Sequence, residues 1–156
     1  MQNALTLHPV GGLFYNATNM QSQEQIAAML SDTQSYCEIP VLTMCDEEGG
    51  VVSRLMKTVG TTYVGSMLDY ESQGTEIARQ NAQTIALDMA KLGFNLDLAP
   101  VADVWSNPSN TVIAERAYST DFSTAATLIA SAVEGFHQGG VACTLKHFPG
   151  HGDTAE

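Results

Sequence analysis

The sequence predicts an α/β fold of parallel βαβ units, and two observations carry that prediction. An apolar run of strand length recurs four times, each entered from Gly or Pro and left through polar or Gly-rich residues. The stretches between the runs place apolar residues at helical spacing, with cap and stop residues where helices should begin and end. Buried strands alternating with helices form a parallel sheet.

The first run, 10–15, ends at Asn16, and the second, 40–45, ends at Asp46-Glu47-Glu48-Gly49-Gly50. The third, 93–99, ends at Pro100, and the fourth, 140–146, ends at His147. Between the first two, Ser22-Gln23-Glu24-Gln25 reads as a capping box opening a helix with Ile26, Met29 and Leu30 on one face. A longer helix follows Asp69, with Ile77, Ala78, Asn81, Ile85, Met89 and Leu92 near 3.6 spacing and Gly93 as its stop. A third begins near Thr120 or Asp121, carries Phe122, Ala125, Ile129, Val133 and Phe136 as its buried stripe, and ends at Gly139-Gly140. Met44, Met56, Met67 and Met89 are expected in the core. An open doubly wound sheet and a closed (β/α)₈ barrel share this pattern. The glycine fingerprint of a dinucleotide-binding sheet is missing after the first strand, where Asn16-Ala17-Thr18-Asn19-Met20 stands.

Composition narrows the function. The 156 residues suffice for one domain. Lys and Arg total 6 against 17 Asp and Glu, a net charge of −11. Without a cluster of cations, neither a nucleic acid nor an anionic membrane surface is an expected partner. No apolar run reaches the ~18 residues of a spanning helix. The N-terminus shows no charged segment followed by an apolar core, so no signal peptide is expected there. Charged residues are only 15%, below the roughly 25% of an average soluble protein, which suggests a surface that is normally covered. Cys37, Cys45 and Cys143, an odd number without C-x-x-C spacing, read as reduced thiols and favour the cytosol; an exported or lipid-anchored parent stays open.

In both candidate folds chemistry sits at the C-terminal ends of strands. Three of the six cations stand there, Arg54, Arg116 and Lys146, together with Asp46, Asp103, His147, His151 and Asp153. Carboxylates that accept, mixed with cations and imidazoles that donate, suit a neutral, hydroxyl-rich ligand.

Lys146-His147-Phe148-Pro149-Gly150-His151-Gly152 resembles the Lys-His and Pro-Gly-His-Gly signature of glycoside hydrolase family 3, in its β-N-acetylglucosaminidase branch. Asp46-Glu47-Glu48-Gly49-Gly50 with Arg54-Leu55, the segment 93–104, and Ile113-Ala114-Glu115-Arg116-Ala117-Tyr118 are similar to three further motifs of that family, in the same order. Departures stand at Val51 where the family often has Arg, at Ala114 where Gly is usual, and at Tyr15-Asn16 where Arg precedes Asn. The resemblance implies a (β/α)₈ barrel that cleaves a terminal β-linked sugar with retention. By motif position Asp46, Arg54, Arg116, Lys146 and His147 would hold the non-reducing sugar, Asp46 accepting from ring hydroxyls, Lys146 and His147 donating, and the arginines orienting the ring.

Further expectations follow from the resemblance. Residues 1–156 are a partial barrel of about four strands, against the ~250 residues of a complete one, with 10–15 matching the second barrel strand. The family's nucleophilic Asp and its acid/base His are expected beyond Glu156, leaving the chain inactive alone. The parent would hydrolyse β-N-acetylhexosaminides; a β-glucosidase or xylosidase, or a non-catalytic sugar-binding module, are the alternatives. No cofactor is expected. Open strand edges and an uncovered inner face predict a homo-oligomer.

Each candidate also has a purely structural reading: a solvated turn acid for Asp46, pairing with Glu47 or Glu48 for Arg54, pairing with Glu115 or Asp121 for Arg116, and an internal bond to a carboxylate for Lys146 and His147. Structural roles are favoured for His151 as a loop tie, Asp97 as a partner of Lys146, and Trp105 as a loop anchor. A metal on His147, His151 and Asp153 is disfavoured, because Pro149-Gly150 forbids the helix that such a pair of histidines needs.

Overall fold

A computed structural model of the chain describes residues 2–155, so that Met1 and Glu156 lie outside it. The elements in order are α1 (Gln2–Leu7), β1 (Gly12–Phe14), α2 (Gln23–Ser35), β2 (Leu42–Cys45), β3 (Glu47–Gly49), β4 (Val52–Ser53), α3 (Arg54–Val59), α4 (Tyr70–Gln73), α5 (Thr75–Leu92), β5 (Leu96–Asp97), α6 (Phe122–Gln138) and β6 (Ala142–Cys143). The four expected runs form one sheet in the order β1-β2-β5-β6, parallel throughout. The regular strands are shorter than the runs, but parallel hydrogen bonds continue past them, as in Leu98 N–H to the Cys45 carbonyl at 3.0 Å and Thr144 N–H to the Ala99 carbonyl at 2.8 Å. Pro100, which has no N–H, interrupts the ladder where β5 would otherwise lengthen.

Helices cover one face of the sheet. Ile26 and Leu30 of α2, Ala78, Ile85, Met89 and Leu92 of α5, and Ala125, Ile129, Ala132 and Phe136 of α6 enclose Tyr15, Cys45, Phe94 and Val141 in one core. The end signals act as expected. Ser22 Oγ accepts from Gln25 N–H at 3.1 Å, and Asp121 Oδ1 accepts from Thr124 N–H at 2.8 Å. Gly93 ends α5 at φ 98°, a conformation that favours glycine. The capping box is half formed, because the Gln25 side chain accepts from Gln21 N–H instead of Ser22 N–H.

Several expectations are corrected. The helix after Asp69 is two helices, broken at Gly74 with φ 88°. Phe122, at the first position of α6, faces outward and is 70% exposed. Met44 lies on the open face of the sheet, in register with Phe14 and Leu96. On that face Phe14 and Leu42 are 48% and 46% exposed, as for an inner barrel wall with no opposite wall over it. The β3–β4 hairpin, α1 and α3 were not evident from the sequence.

Candidate active-site rim

The sheet brings the strand-end residues to one rim. Lys146 follows β6 and bridges in register to Val101, its carbonyl accepting from Ala102 N–H at 2.5 Å. Asp46 and Glu48 leave β2 at alternate positions of an extended segment, which turns both carboxylates the same way. Arg116 closes the short helical turn Ala114–Arg116. Buried Asn110 holds that turn, its Oδ1 accepting from Val112 and Ile113 N–H at 3.0 and 2.9 Å.

These groups form one hydrogen-bonded chain. Lys146 Nζ donates to Asp46 Oδ1 at 2.7 Å and forms an ion pair with Glu48 Oε1 at 2.5 Å. Arg116 grips Glu48 with two bonds, Nε to Oε2 at 2.8 Å and Nη2 to Oε1 at 2.9 Å, the bidentate geometry guanidinium favours. Arg116 Nη2 also lies 3.3 Å from His147 Nε2, and His147 Nδ1 lies 2.5 Å from Asp103 Oδ2. A guanidinium only donates, so these partners assign Nε2 as acceptor and Nδ1 as the protonated nitrogen. Asp103 Oδ1 accepts from His151 N–H at 2.6 Å. The Glu48 bonds raise the Arg116 pKa above its ordinary value.

The chain has a back and a front. Glu48 and Asp103 have side chains 2% and 1% exposed, whereas those of Asp46 and His147 are 20% and 34% exposed. Among the described residues, Asp46 Oδ2, one N–H of Lys146 and one N–H of Arg116 Nη1 remain without a protein partner. Both ring nitrogens of His147 are already engaged, so a hydroxyl reaching it exchanges with Arg116 or Asp103.

Four of the five expected ligand-holding residues, Asp46, Arg116, Lys146 and His147, therefore stand together. Arg54 does not join the chain. Its backbone N–H donates to the Asp46 carbonyl at 3.4 Å, its Nε is buried without an acceptor, and among the described residues it makes no ion pair with Glu47 or Glu48. Arg116 pairs with Glu48, not with Glu115 or Asp121, because the tertiary partner is buried and planar to it. Asp97 is fully buried and accepts from Glu47 N–H at 3.0 Å; it makes no bond to Lys146, and burial drives its pKa well above the usual carboxylate range. Trp105 anchors the loop through Nε1 to the Asn110 carbonyl at 2.9 Å. The His151 ring packs edge-on against His147, centroids 5.8 Å apart, while its Nδ1 and the Asp153 carboxylate bond Thr154 and Ser106 at 2.6 and 2.9 Å. Two contributors were given no ligand-holding role by the sequence reading, Glu48 and Asp103, the latter placed only among the strand-end residues. The Asp46-x-Glu48 spacing was the available signal for the first.

Glu47 organises the floor. Its carboxylate accepts from Leu55 and Met56 N–H at 2.7 and 3.2 Å, capping α3 where Ser53 offers no side-chain bond. Burial nonetheless raises its pKa from 4.5 to about 7.

Comparison with known proteins bears on the family and the fold. The family model described as glycosyl hydrolase family 3 N terminal domain matches residues 1–156. The chain is 34% identical over 162 residues to a beta-hexosaminidase A of Pseudoalteromonas piscicida, covering 99% of this chain and 27% of that protein. It is also 34% identical to a beta-hexosaminidase of Idiomarina loihiensis, covering 92% of this chain and 44% of that one. Among solved structures, a family 3 beta-N-acetylglucosaminidase from Paenibacillus superposes with a TM-score of 0.93 at 38% identity, over 99% of this chain and 30% of that chain. A Neisseria gonorrhoeae relative solved with a zinc ion gives 0.88 at 27% identity, over 99% and 48%. The chain thus spans about a quarter to a half of the length of these relatives.

Proposed function

The chain belongs to the N-terminal domain family of glycosyl hydrolase family 3, and on that premise we propose that it forms the sugar-holding rim of a retaining β-N-acetylhexosaminidase. The observation that carries this reading is the Lys146 ammonium held between Asp46 and Glu48 beside Arg116. It leaves one carboxylate oxygen and two N–H groups without protein partners among the described residues, a set able to accept from and donate to ring hydroxyls. Asp46 accepts from one hydroxyl while Lys146 and Arg116 donate to others, and this fixes the ring by position. N-acetylglucosamine titrated into the ¹⁵N-labelled chain should shift the amides around Asp46, Lys146 and His147, and Asp46→Asn should abolish the shifts. Shifts with glucose or xylose but none with the aminosugar would move the chain to another specificity, and shifts elsewhere would overturn the rim assignment.

The chemical step lies outside this rim. A retaining glycosidase needs a nucleophile and an acid/base about 5 Å apart across the scissile bond. Glu48 and Asp103 are saturated by protein donors, and Asp46 is tied to Lys146. The 156-residue chain is therefore expected to leave a chromogenic β-N-acetylglucosaminide intact, and turnover by the purified chain would refute this. The half-exposed Phe14 and Leu42 favour a second copy of the chain over the open sheet face. Sedimentation equilibrium should show a homo-oligomer that Phe14→Asp dissociates; a wild-type monomer at high concentration would exclude it.

A further inference from the structure

We propose that Glu48 is a positioning residue: its buried carboxylate locks the Arg116 guanidinium and the Lys146 ammonium side by side, so that one N–H of each is presented at the rim. The inference rests on the sugar-holding reading above. Glu48 cannot itself meet a ligand, because its side chain is 2% exposed and its oxygens already accept two bonds from Arg116 and pair with Lys146. Among the described residues it is the one group paired with both cations, so removing its charge leaves two like charges adjacent at a mostly buried site, with Asp46 alone to balance Lys146. Lys and Arg are long and rotamer-rich, and held donors lose less freedom on binding than loose ones. The carboxylate is itself fixed. Residues 47–49 of β3 are all buried, Glu47 pairs with Ser53 of β4, and the Glu47 carboxylate fastens the start of α3.

The chain has three arginines, Arg54, Arg79 and Arg116, so their Nε–Hε resonances can be assigned in the ¹⁵N-labelled protein. In the wild type the Arg116 resonance should persist at neutral pH, protected by its bond to Glu48. In Glu48→Gln it should broaden or vanish, and the Kd for N-acetylglucosamine should rise at least tenfold, while amides remote from the rim stay in place. Glu48→Asp keeps the charge on a shorter arm that cannot span both cations, and should fall between the two. A Glu48→Gln protein with a native amide pattern and a Kd within twofold of wild type overturns the proposal. If Glu48→Gln does not fold, wild-type affinity in Glu48→Asp overturns it instead. A wild-type chain that takes up no sugar refutes the proposed function; the Arg116 resonance then decides the locking alone, and its survival in Glu48→Gln overturns that too.

Discussion

Replacing Gly135 by Ala tests the packing that carries the sheet. Gly135 lies where α6 crosses α5, and a methyl there would sit 2.1 Å from the Arg79 carbonyl oxygen and 2.9 Å from Ala82 Cβ. In an open helix interior this substitution stabilises by about 1 kcal/mol. Here the obstacle is backbone and a rigid methyl, so the helices must part by roughly 1 Å to regain ordinary contact. Overpacking of this kind costs about 1–3 kcal/mol, and the shift would propagate to Ala86 and Gly139, the next close pair along the same seam. We expect Gly135→Ala to lower stability by about 2 kcal/mol, or about 1 M in urea midpoint, with little change in slope, followed by far-UV circular dichroism. A variant as stable as wild type, or more stable, would refute the reasoning, since helix propensity alone predicts a gain.

Further expectations concern the rim and its supports. Glu47 titrates at about 7 in the folded state against 4.5 ordinarily, so its contribution is fully present below pH 4.5 and is lost as pH rises through 7, up to about 3 kcal/mol. Urea unfolding between pH 5 and 8 should show this decline, and Glu47→Gln should flatten it; a parallel slope in the variant would exclude Glu47 as its source. Ala114 is a non-glycine residue at φ 41°, just before Arg116, so Ala114→Gly should relieve about 1 kcal/mol of left-handed strain, reduced by the greater freedom of unfolded glycine. A lower thermal midpoint would count against that strain. Asn110→Ala removes bonds to Val112, Ile113, Thr154 and the His151 carbonyl and should cost about 3 kcal/mol. The single Trp105, bonded to the Asn110 carbonyl, should report the loosening as a red-shifted emission; unchanged emission and stability would show that the loop holds without it.

Much of this was legible in the chain itself. The strand-end positions of Asp46, Lys146 and His147 follow from where apolar runs stop, and such runs mark a buried parallel sheet. Helix ends at Ser22, Gly93 and Asp121 were legible because capping is local chemistry. The partner of Arg116 was not, because Glu115 and Asp121 are neighbours in sequence while Glu48 lies 68 residues away and is reached only through the fold. The hairpin of β3 and β4 is short and carries charged residues in an apolar setting, so hydrophobic pattern hides it, although Gly49 and Gly50 with positive φ mark its turn. Phe122 was misread because a period fitted to α6 does not settle whether its first residue is covered, and that residue is exposed.

The bonds of the rim join distant parts of the polypeptide. Lys146 meets Asp46 across 100 residues, Arg116 meets Glu48 across 68, and His147 meets Asp103 across 44. No shorter stretch ending before β6 contains the assembled set, and closing such long loops is slow and entropically costly until the last strand docks. Saccharide uptake by this polypeptide would thus certify that its final residues have come home, which makes a simple monosaccharide a probe of completed folding.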